Sequence, residues 1–227
     1  MRRTGRQCTG RRPPVGALAG AARAGAGAVR VAPSILVGFA LPFEARLLAA
    51  LADVLARAPF RHMSTPGGRM MSVAMTNCGS VGWVSDRSGY RYSPTDPQCG
   101  MPWPPLPNVL RALAARAADA AHFAGFIPDA CLINRYTPGA KLSLHRDADE
   151  RDWQAPIVSV SLGLPATFLF GGLSRTDPQR RLRLAHGDVF VWGGPARLAY
   201  HGVLPLADGH HPRLGRQRIN LTLRKAL

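Results

Sequence analysis

Lysine is almost missing from this chain: of 29 basic residues only Lys141 and Lys225 are lysines, and the rest are arginines. Such a skew follows as readily from a GC-rich genome as from a polyanionic partner, so the net charge of +16 carries little weight by itself. Acidic residues are absent before Glu44, while Arg2, Arg3, Arg6, Arg11, Arg12, Arg23 and Arg30 fall there. Taking those seven from 29 leaves 22 basic against 13 acidic residues, so the body is basic too. Long apolar runs are also lacking. Charge-free stretches such as Val31 to Phe43 are well short of the ~20 apolar residues needed to cross a bilayer as a helix, which excludes a helical membrane protein. Cysteine is scarce, and Cys8, Cys78, Cys99 and Cys131 show no C-x-x-C spacing, so they read as free thiols of a reducing, cytoplasmic compartment. Glycine and proline are plentiful, at 24 and 20 residues, and favour a turn-rich, β-rich body.

Residues 1–31 are Arg, Ala and Gly with few large apolar side chains, the composition of a disordered tail. A transit peptide is disfavoured because the stretch has no serine and too much glycine for an amphipathic helix, and Arg23 interrupts any secretory apolar run. Apolar residues at helical spacing predict helices over Pro42–Ala58 and Pro107–Phe123, with a short strand near Met71–Thr76 and an irregular Gly/Pro/aromatic stretch over 79–107. After Asp129 the period changes to two. Strands are expected over Leu132–Tyr136, Lys141–Asp147, Ile157–Gly163, Thr167–Phe170, Arg181–Ala185, Val189–Trp192, Leu198–Val203 and Arg218–Arg224, which suggests an antiparallel sandwich or jelly roll. The organisation expected is a tail, a region of helices and lid over 32–128, and a core over 129–227, the last two forming one catalytic unit.

In Lys141-Leu-Ser-Leu-His-Arg-Asp147, strand geometry sends Ser143, His145 and Asp147 to one face. A lone H-x-D is a weak signal, but His201 follows 56 residues later near another strand. Two histidines and one carboxylate form a facial triad suited to Fe(II), with zinc as the competing metal. On the strand Arg218–Arg224, Arg218, Asn220, Thr222 and Arg224 share one face and Ile219, Leu221 and Leu223 the other. Guanidiniums on the inner face of a buried strand require anions, and a dicarboxylate meets that need; an edge strand with exposed arginines is the alternative. Asn134 and Tyr136 share a face of their own strand and add neutral hydrogen bonds to the same ligand. His62, His122 and His186 read as surface or core residues, the His210-His211 pair lies in a loop with too little context to assign a site, and Trp103, Trp153 and Trp192 read as packing residues.

With these residues in place, the chain resembles the iron(II)- and 2-oxoglutarate-dependent dioxygenases, specifically their AlkB-type branch that repairs alkylated DNA. The resemblance spans about residues 59–226 and is carried by residues 71–79 (MSVAMTNCG), 129–136 (DACLINRY), 138–147 (PGAKLSLHRD), 156–165 (PIVSVSLGLP) and 186–189 (HGDV). It implies a β-rich α+β fold, a double-stranded β-helix (jelly roll) with flanking helices, preceded by a nucleotide-recognition lid. By matching position it implies His145, Asp147 and His201 as iron ligands and catalytic residues, and Asn134, Tyr136, Arg218, Asn220 and Arg224 as the 2-oxoglutarate pocket. Trp83, Tyr90, Tyr92, Asp149 and Arg175 are implied as substrate contacts. The expected cofactor is Fe(II), with 2-oxoglutarate and O2 as co-substrates. The implied reaction is oxidative demethylation of 1-methyladenine and 3-methylcytosine in single- or double-stranded DNA, or in RNA, releasing succinate, CO2 and formaldehyde. A monomer with no membrane association is expected. A cationic base suits a site made of a carboxylate and an indole face.

Two positions depart from the family's pattern. Ala148 stands where a lysine is often found between the two acidic residues after H-x-D, and Arg69 stands where an uncharged aromatic is usual. Phosphate contacts are therefore expected to be distributed differently. Hydroxylation or demethylation of RNA or protein on the same scaffold, and a non-enzymatic nucleic-acid binder, are the competing readings.

Overall fold

The computed structural model describes residues 32–227. The tail expected over residues 1–31 lies outside the described residues, together with Cys8. In chain order the described elements are β1 (Ser34–Leu36), α1 (Glu44–Arg57), β2 (Arg61–Ser64), β3 (Met70–Gly79), β4 (Gly82–Asp86), β5 (Gly89–Ser93), α2 (Asn108–Ala120) and β6 (Ala130–Tyr136). They continue with β7 (Leu142–His145), β8 (Ile157–Gly163), β9 (Ala166–Phe170), β10 (Arg180–Leu184), β11 (Val189–Trp192), β12 (His201–Val203) and β13 (Arg218–Arg224). Seven strands form one sheet in the order β1-β11-β8-β13-β6-β3-β2, four form a second in the order β10-β9-β12-β7, and β4-β5 is a separate hairpin. The two larger sheets face each other as a jelly roll.

Alternation along β13 shows how the layers are built. Ile219, Leu221 and Leu223 turn toward the helices and share a core with Leu47, Leu51 and Val54 of α1 and Leu113 and Ala117 of α2. Burying each large apolar side chain there contributes about 1.5–3 kcal/mol. The opposite face, with Arg218, Asn220, Thr222 and Arg224, looks into the space between the sheets, and all seven residues of the strand are buried. β6 alternates in register with it: Cys131 and Ile133 join the helix-side core, Leu132 and Tyr136 the inter-sheet core. The rest of that second core is aromatic and aliphatic, with Phe168, Phe170, Phe190, Trp192, Leu184 and Val203. The inter-sheet space is thus apolar in one part and polar along β13.

Both helices were legible from periodicity, with ends trimmed. Pro42 lies in a short 3-10 turn, Leu41–Phe43, that leads into α1. After α2 the chain turns at His122, which takes a positive φ of 65°, while Phe123 N–H bonds back to Ala118 C=O, the ring that commonly closes helix ends. Several strand expectations need correction. The strand expected over Lys141–Asp147 ends at His145, and Asp147 lies on the irregular segment beyond it, so its direction is set by ion pairs instead of strand alternation. The strand expected from Leu198 begins only at His201, because a 3-10 turn at Gly194–Ala196 precedes it. The stretch over 79–107 contains the β4-β5 hairpin, and β1 and β2 were not anticipated. Trp153 is 49% exposed and does not pack as expected, whereas Trp103 and Trp192 are buried. Cys78, Cys99 and Cys131 are free thiols.

Candidate metal centre and adjoining pocket

β7 and β12 are neighbours, and their register sets His145 opposite His201. In each ring Nδ1–H donates to a backbone carbonyl two residues back, His145 to Ser143 and His201 to Ala199, both at 2.9 Å. Those bonds fix the tautomer that leaves Nε2 as the lone-pair nitrogen. Both Nε2 atoms face Asp147, at 3.7 Å from Oδ1 for His145 and 3.9 Å from Oδ2 for His201. The three ligand atoms lie within 4.8 Å of one another. Burial, reinforced by His145, pushes the His201 pKa down to about 4, so the ring is neutral at pH 7. Burial alone would raise the Asp147 pKa, but Arg224 and then the two histidines outweigh it and hold the carboxyl well below the usual range. Two imidazoles that turn Nε2 toward one carboxylate fit a divalent metal and leave coordination positions for other ligands.

A cavity beside the triad is lined by Asn134, Tyr136, His145, His201, Arg218 and Asn220, together with Trp192 and Phe168. Arg218 is 1% exposed, yet among the described residues only its NH2 has a hydrogen-bond partner, Ser161 Oγ at 3.0 Å, and its Nε and NH1 have none. Asn134 Oδ1 and Trp192 Nε1 are buried without partners as well. Unpaired buried donors are costly, and a cation among them is costlier still. An anionic ligand in this cavity satisfies the Arg218 and Trp192 donors, which is the fit that 2-oxoglutarate requires; Asn134 Oδ1 is an acceptor and is not among them. Asn220, by contrast, is already committed: Nδ2 donates to Ser159 Oγ and Val160 C=O, and Oδ1 accepts from Thr222. Arg224 does not line this cavity. It sits on the carboxylate of the triad, with Nε donating to Asp147 Oδ2 at 2.9 Å.

The hairpin β4-β5 lies over the segment that follows β7. Buried Asn77 of β3 holds it in place by a pair of 3.0 Å hydrogen bonds to the backbone N–H and C=O of Trp83. The Trp83 indole N–H donates to Asp149 Oδ2 at 2.8 Å, and the ring stacks on Tyr90 at 5.5 Å between centroids. Gly82 is required beneath it, since a Cβ there would meet the Trp103 ring at 2.5 Å and Asn77 at 2.7 Å. Tyr92 is turned inward: its O–H donates to Glu150 Oε1 at 2.6 Å, and burial keeps its phenol pKa well above 10. Glu150 also accepts from Arg197 NH2 at 3.1 Å and lies 3.3 Å from Arg224 Nε. Arg175 is exposed in the β9-β10 loop, apart from this network.

The structure therefore brings together His145, Asp147, His201, Asn134, Tyr136, Arg218, Asn220 and Arg224 around one centre, and Trp83, Tyr90, Tyr92 and Asp149 above it. Glu150, Arg197, Asn77 and Ser161 went unrecognised in the sequence. Glu150 stands in a run of charges that reads as solvated, and only its distant partners reveal its burial.

Similarity to known proteins agrees with this geometry. The profile of the 2OG-Fe(II) oxygenase superfamily matches residues 34–224. The chain is 59% identical over 192 residues to the alpha-ketoglutarate-dependent dioxygenase AlkB of Escherichia coli, covering 85% of this chain and 89% of that one. It is 48% identical over 171 residues to the AlkB homolog of Caulobacter vibrioides, covering 75% and 76%. Among solved structures, that of OsALKBH1 superposes with a TM-score of 0.71 at 29% identity, covering 85% of this chain and 97% of that one. With the His-Asp-His centre, the jelly roll that holds it and these matches in agreement, the chain belongs to the AlkB branch of the 2OG-Fe(II) oxygenase superfamily.

Proposed function

We infer that this protein is an Fe(II)- and 2-oxoglutarate-dependent dioxygenase that oxidatively demethylates alkylated bases in nucleic acid. The observation that carries the reading is one continuous assembly: a triad of metal-ligand type, a buried cavity whose unpaired donors call for an anion, and an indole plate hydrogen-bonded two residues beyond the carboxylate ligand. His145, Asp147 and His201 would hold the iron. Arg218, Asn134 and Tyr136 would hold the dicarboxylate, with Asn220 shaping the pocket wall and Arg224 steadying Asp147. When bound, iron with 2-oxoglutarate and O2 supplies the oxidation of an N-methyl group, ending in succinate, CO2 and formaldehyde. The chain's own task is to hold the base over that centre and exclude alternative orientations. Trp83 and Tyr90 offer an aromatic surface for an unstacked base, and Asp149 a carboxylate that favours the cationic lesions 1-methyladenine and 3-methylcytosine over neutral parent bases. Tyr92 supports that surface from below, and Arg175, exposed in the β9-β10 loop, is kept as a further substrate contact.

Alkylated DNA is the preferred substrate in this reading and RNA the alternative; a cytoplasmic monomer formed as one unit over residues 32–227 completes it. Among the described residues no helix is long and apolar enough to cross a membrane. The relatives include a DNA N(6)-methyladenine demethylase of Arabidopsis thaliana and a tRNA demethylase of Schizosaccharomyces pombe, which keeps both nucleic acids open to test. The deciding experiment incubates the protein with Fe(II), 2-oxoglutarate and oligonucleotides bearing 3-methylcytosine, as DNA and as RNA. Formaldehyde and succinate are expected in equal amounts, and Asp147→Ala is expected to release neither. Binding of the oligonucleotide by the wild type without either product would overturn the reading.

A further inference from the structure

Four consecutive residues, Asp147 to Glu150, join the metal centre to the hairpin. The segment carries no strand pairing of its own and is held by side chains at three of its four positions. Asp147 reaches the triad and Arg224. Asp149 accepts the Trp83 indole N–H. Glu150, with a side chain 2% exposed, accepts from Tyr92 and Arg197 and lies beside Arg224. Arg197 closes the loop by donating from NH1 to the Asp147 backbone carbonyl at 2.8 Å and from Nε to Ala155 C=O at 3.1 Å. Arg197 and Arg224 thus each touch both Asp147 and Glu150, so neither carboxylate can shift without disturbing a buried guanidinium.

We propose that Glu150 is a positioning residue that couples the hairpin to the metal ligand, so that filling one site tightens the other. This rests on the reading of the hairpin as the nucleotide-recognition element. The physical basis is shared ordering. A metal that fixes Asp147 also restricts Asp149 and Glu150, which lie two and three residues on, and these grip the hairpin at Trp83 and Tyr92. A base that orders the hairpin restricts the same segment in the other direction. Whichever ligand binds second finds part of the ordering already done, which is positive cooperativity without a large movement. Reciprocity then demands that each ligand raise the other's affinity by the same factor. The Tyr92 bond to Glu150 is the specific link, since Trp83 to Asp149 alone leaves the hairpin's second strand with no side-chain contact of its own to the Asp147–Glu150 segment.

The test has one arm without nucleic acid and one with it. In the first, Mn(II) is titrated into the full-length protein and followed by electron paramagnetic resonance, while amide hydrogen exchange is recorded over residues 82–93. Mn(II) is expected to slow exchange in the wild-type hairpin several-fold, and in Glu150→Gln and Tyr92→Phe, saturated with Mn(II), that response is expected to vanish. Loss of one phenolic O–H leaves the fold intact in Tyr92→Phe, so that variant decides the matter if Glu150→Gln fails to fold. Equal slowing in the wild type and in Tyr92→Phe, or no slowing in the wild type, would overturn the proposal. In the second arm a 3-methylcytosine oligonucleotide is added, and the Mn(II) dissociation constant is expected to fall at least about fivefold in the wild type and to stay nearly constant in Tyr92→Phe. A wild type that binds both ligands with no change in either affinity also overturns the coupling. An oligonucleotide that does not bind the wild type removes the nucleotide reading, while the first arm still decides the role of Glu150.

Discussion

Arg218 combines nearly complete burial with two unpaired donor nitrogens, a state that stabilises nothing until an anion arrives. Arg218→Met keeps most of the volume and removes the unpaired charge. We expect the variant, free of metal and 2-oxoglutarate, to melt no lower than the wild type, and up to about 1–4 kcal/mol more stable. Its 2-oxoglutarate requirement is expected to rise by a factor of ~30 or more, the cost of losing a buried charged partner. Thermal melts with and without 2-oxoglutarate check both halves, since the ligand should raise the melting temperature of the wild type only. His201 gives a prediction in pH. An unfolded histidine titrates near 6.5 and the native one near 4, so between those values the unfolded chain binds more protons and stability rises with pH. The metal-free protein is therefore expected to gain stability from about pH 4 to 6.5 and to level off above, with His145, Asp147 and Arg224 as the groups facing the ring. Urea midpoints against pH check this, and His201→Asn should flatten part of the slope. Of these residues, Arg218 and His201 were legible in the sequence because alternation and spacing are local signals. Glu150 was not, because its burial depends on Arg197 and Arg224, which approach it only in the folded chain.

At the level of elements, the register of β7 with β12 sets the distance between the two histidines. Gly202 is what permits it: a Cβ there would meet the Leu142 carbonyl oxygen at 2.8 Å and the Leu144 nitrogen at 3.2 Å, both backbone atoms that cannot rotate away. Gly202→Ala is expected to part the strands slightly and weaken metal binding at least about tenfold, since small misplacements of reacting groups are expensive. Far-UV circular dichroism should stay unchanged while Mn(II) affinity falls; unchanged affinity would show that the strands tolerate the methyl. Strand β10 offers a second case. It is the outer strand of its sheet, and Arg180, Arg181 and Arg183 are exposed along it. Charged side chains on an outer strand discourage pairing with another molecule. Arg181→Val combined with Arg183→Val is expected to raise light scattering on concentration without lowering the melting temperature. Strand β13 was readable as an element because its alternation is complete, whereas β12 was overextended and the β4-β5 hairpin missed. Three residues are too few to show a period, and the hairpin is set by Asn77 and Gly82 instead of by an apolar stripe.

Across the whole molecule, the bulk charge and the site are separable. The residues that build the centre all fall between Asn77 and Arg224, while the acid-free segment 1–31 carries seven arginines. Removing residues 1–31 is expected to leave turnover of a single-stranded methylated oligonucleotide, and its dependence on salt, unchanged. If the tail gripped phosphates, its removal would instead flatten the slope of log affinity against log salt by about 0.7 for each phosphate no longer neutralised. The fold class was evident from the succession of short strands, but the order of strands in the sheets was not, since pairing partners come from distant parts of the chain. That order has a consequence for synthesis. β13 is the sole strand joining β6, with β3 and β2 beyond it, to β8, with β11 and β1 beyond it, and it follows all of them in the chain. Until residue 224 has left the ribosome, the large sheet lacks its middle strand, β6 and β8 have no partner between them, and Asp147 has no Arg224 to meet. A ribosome stalled before residue 218 would therefore release a chain with two sticky edges and no centre to load, a substrate for chaperones and proteases rather than a weaker enzyme.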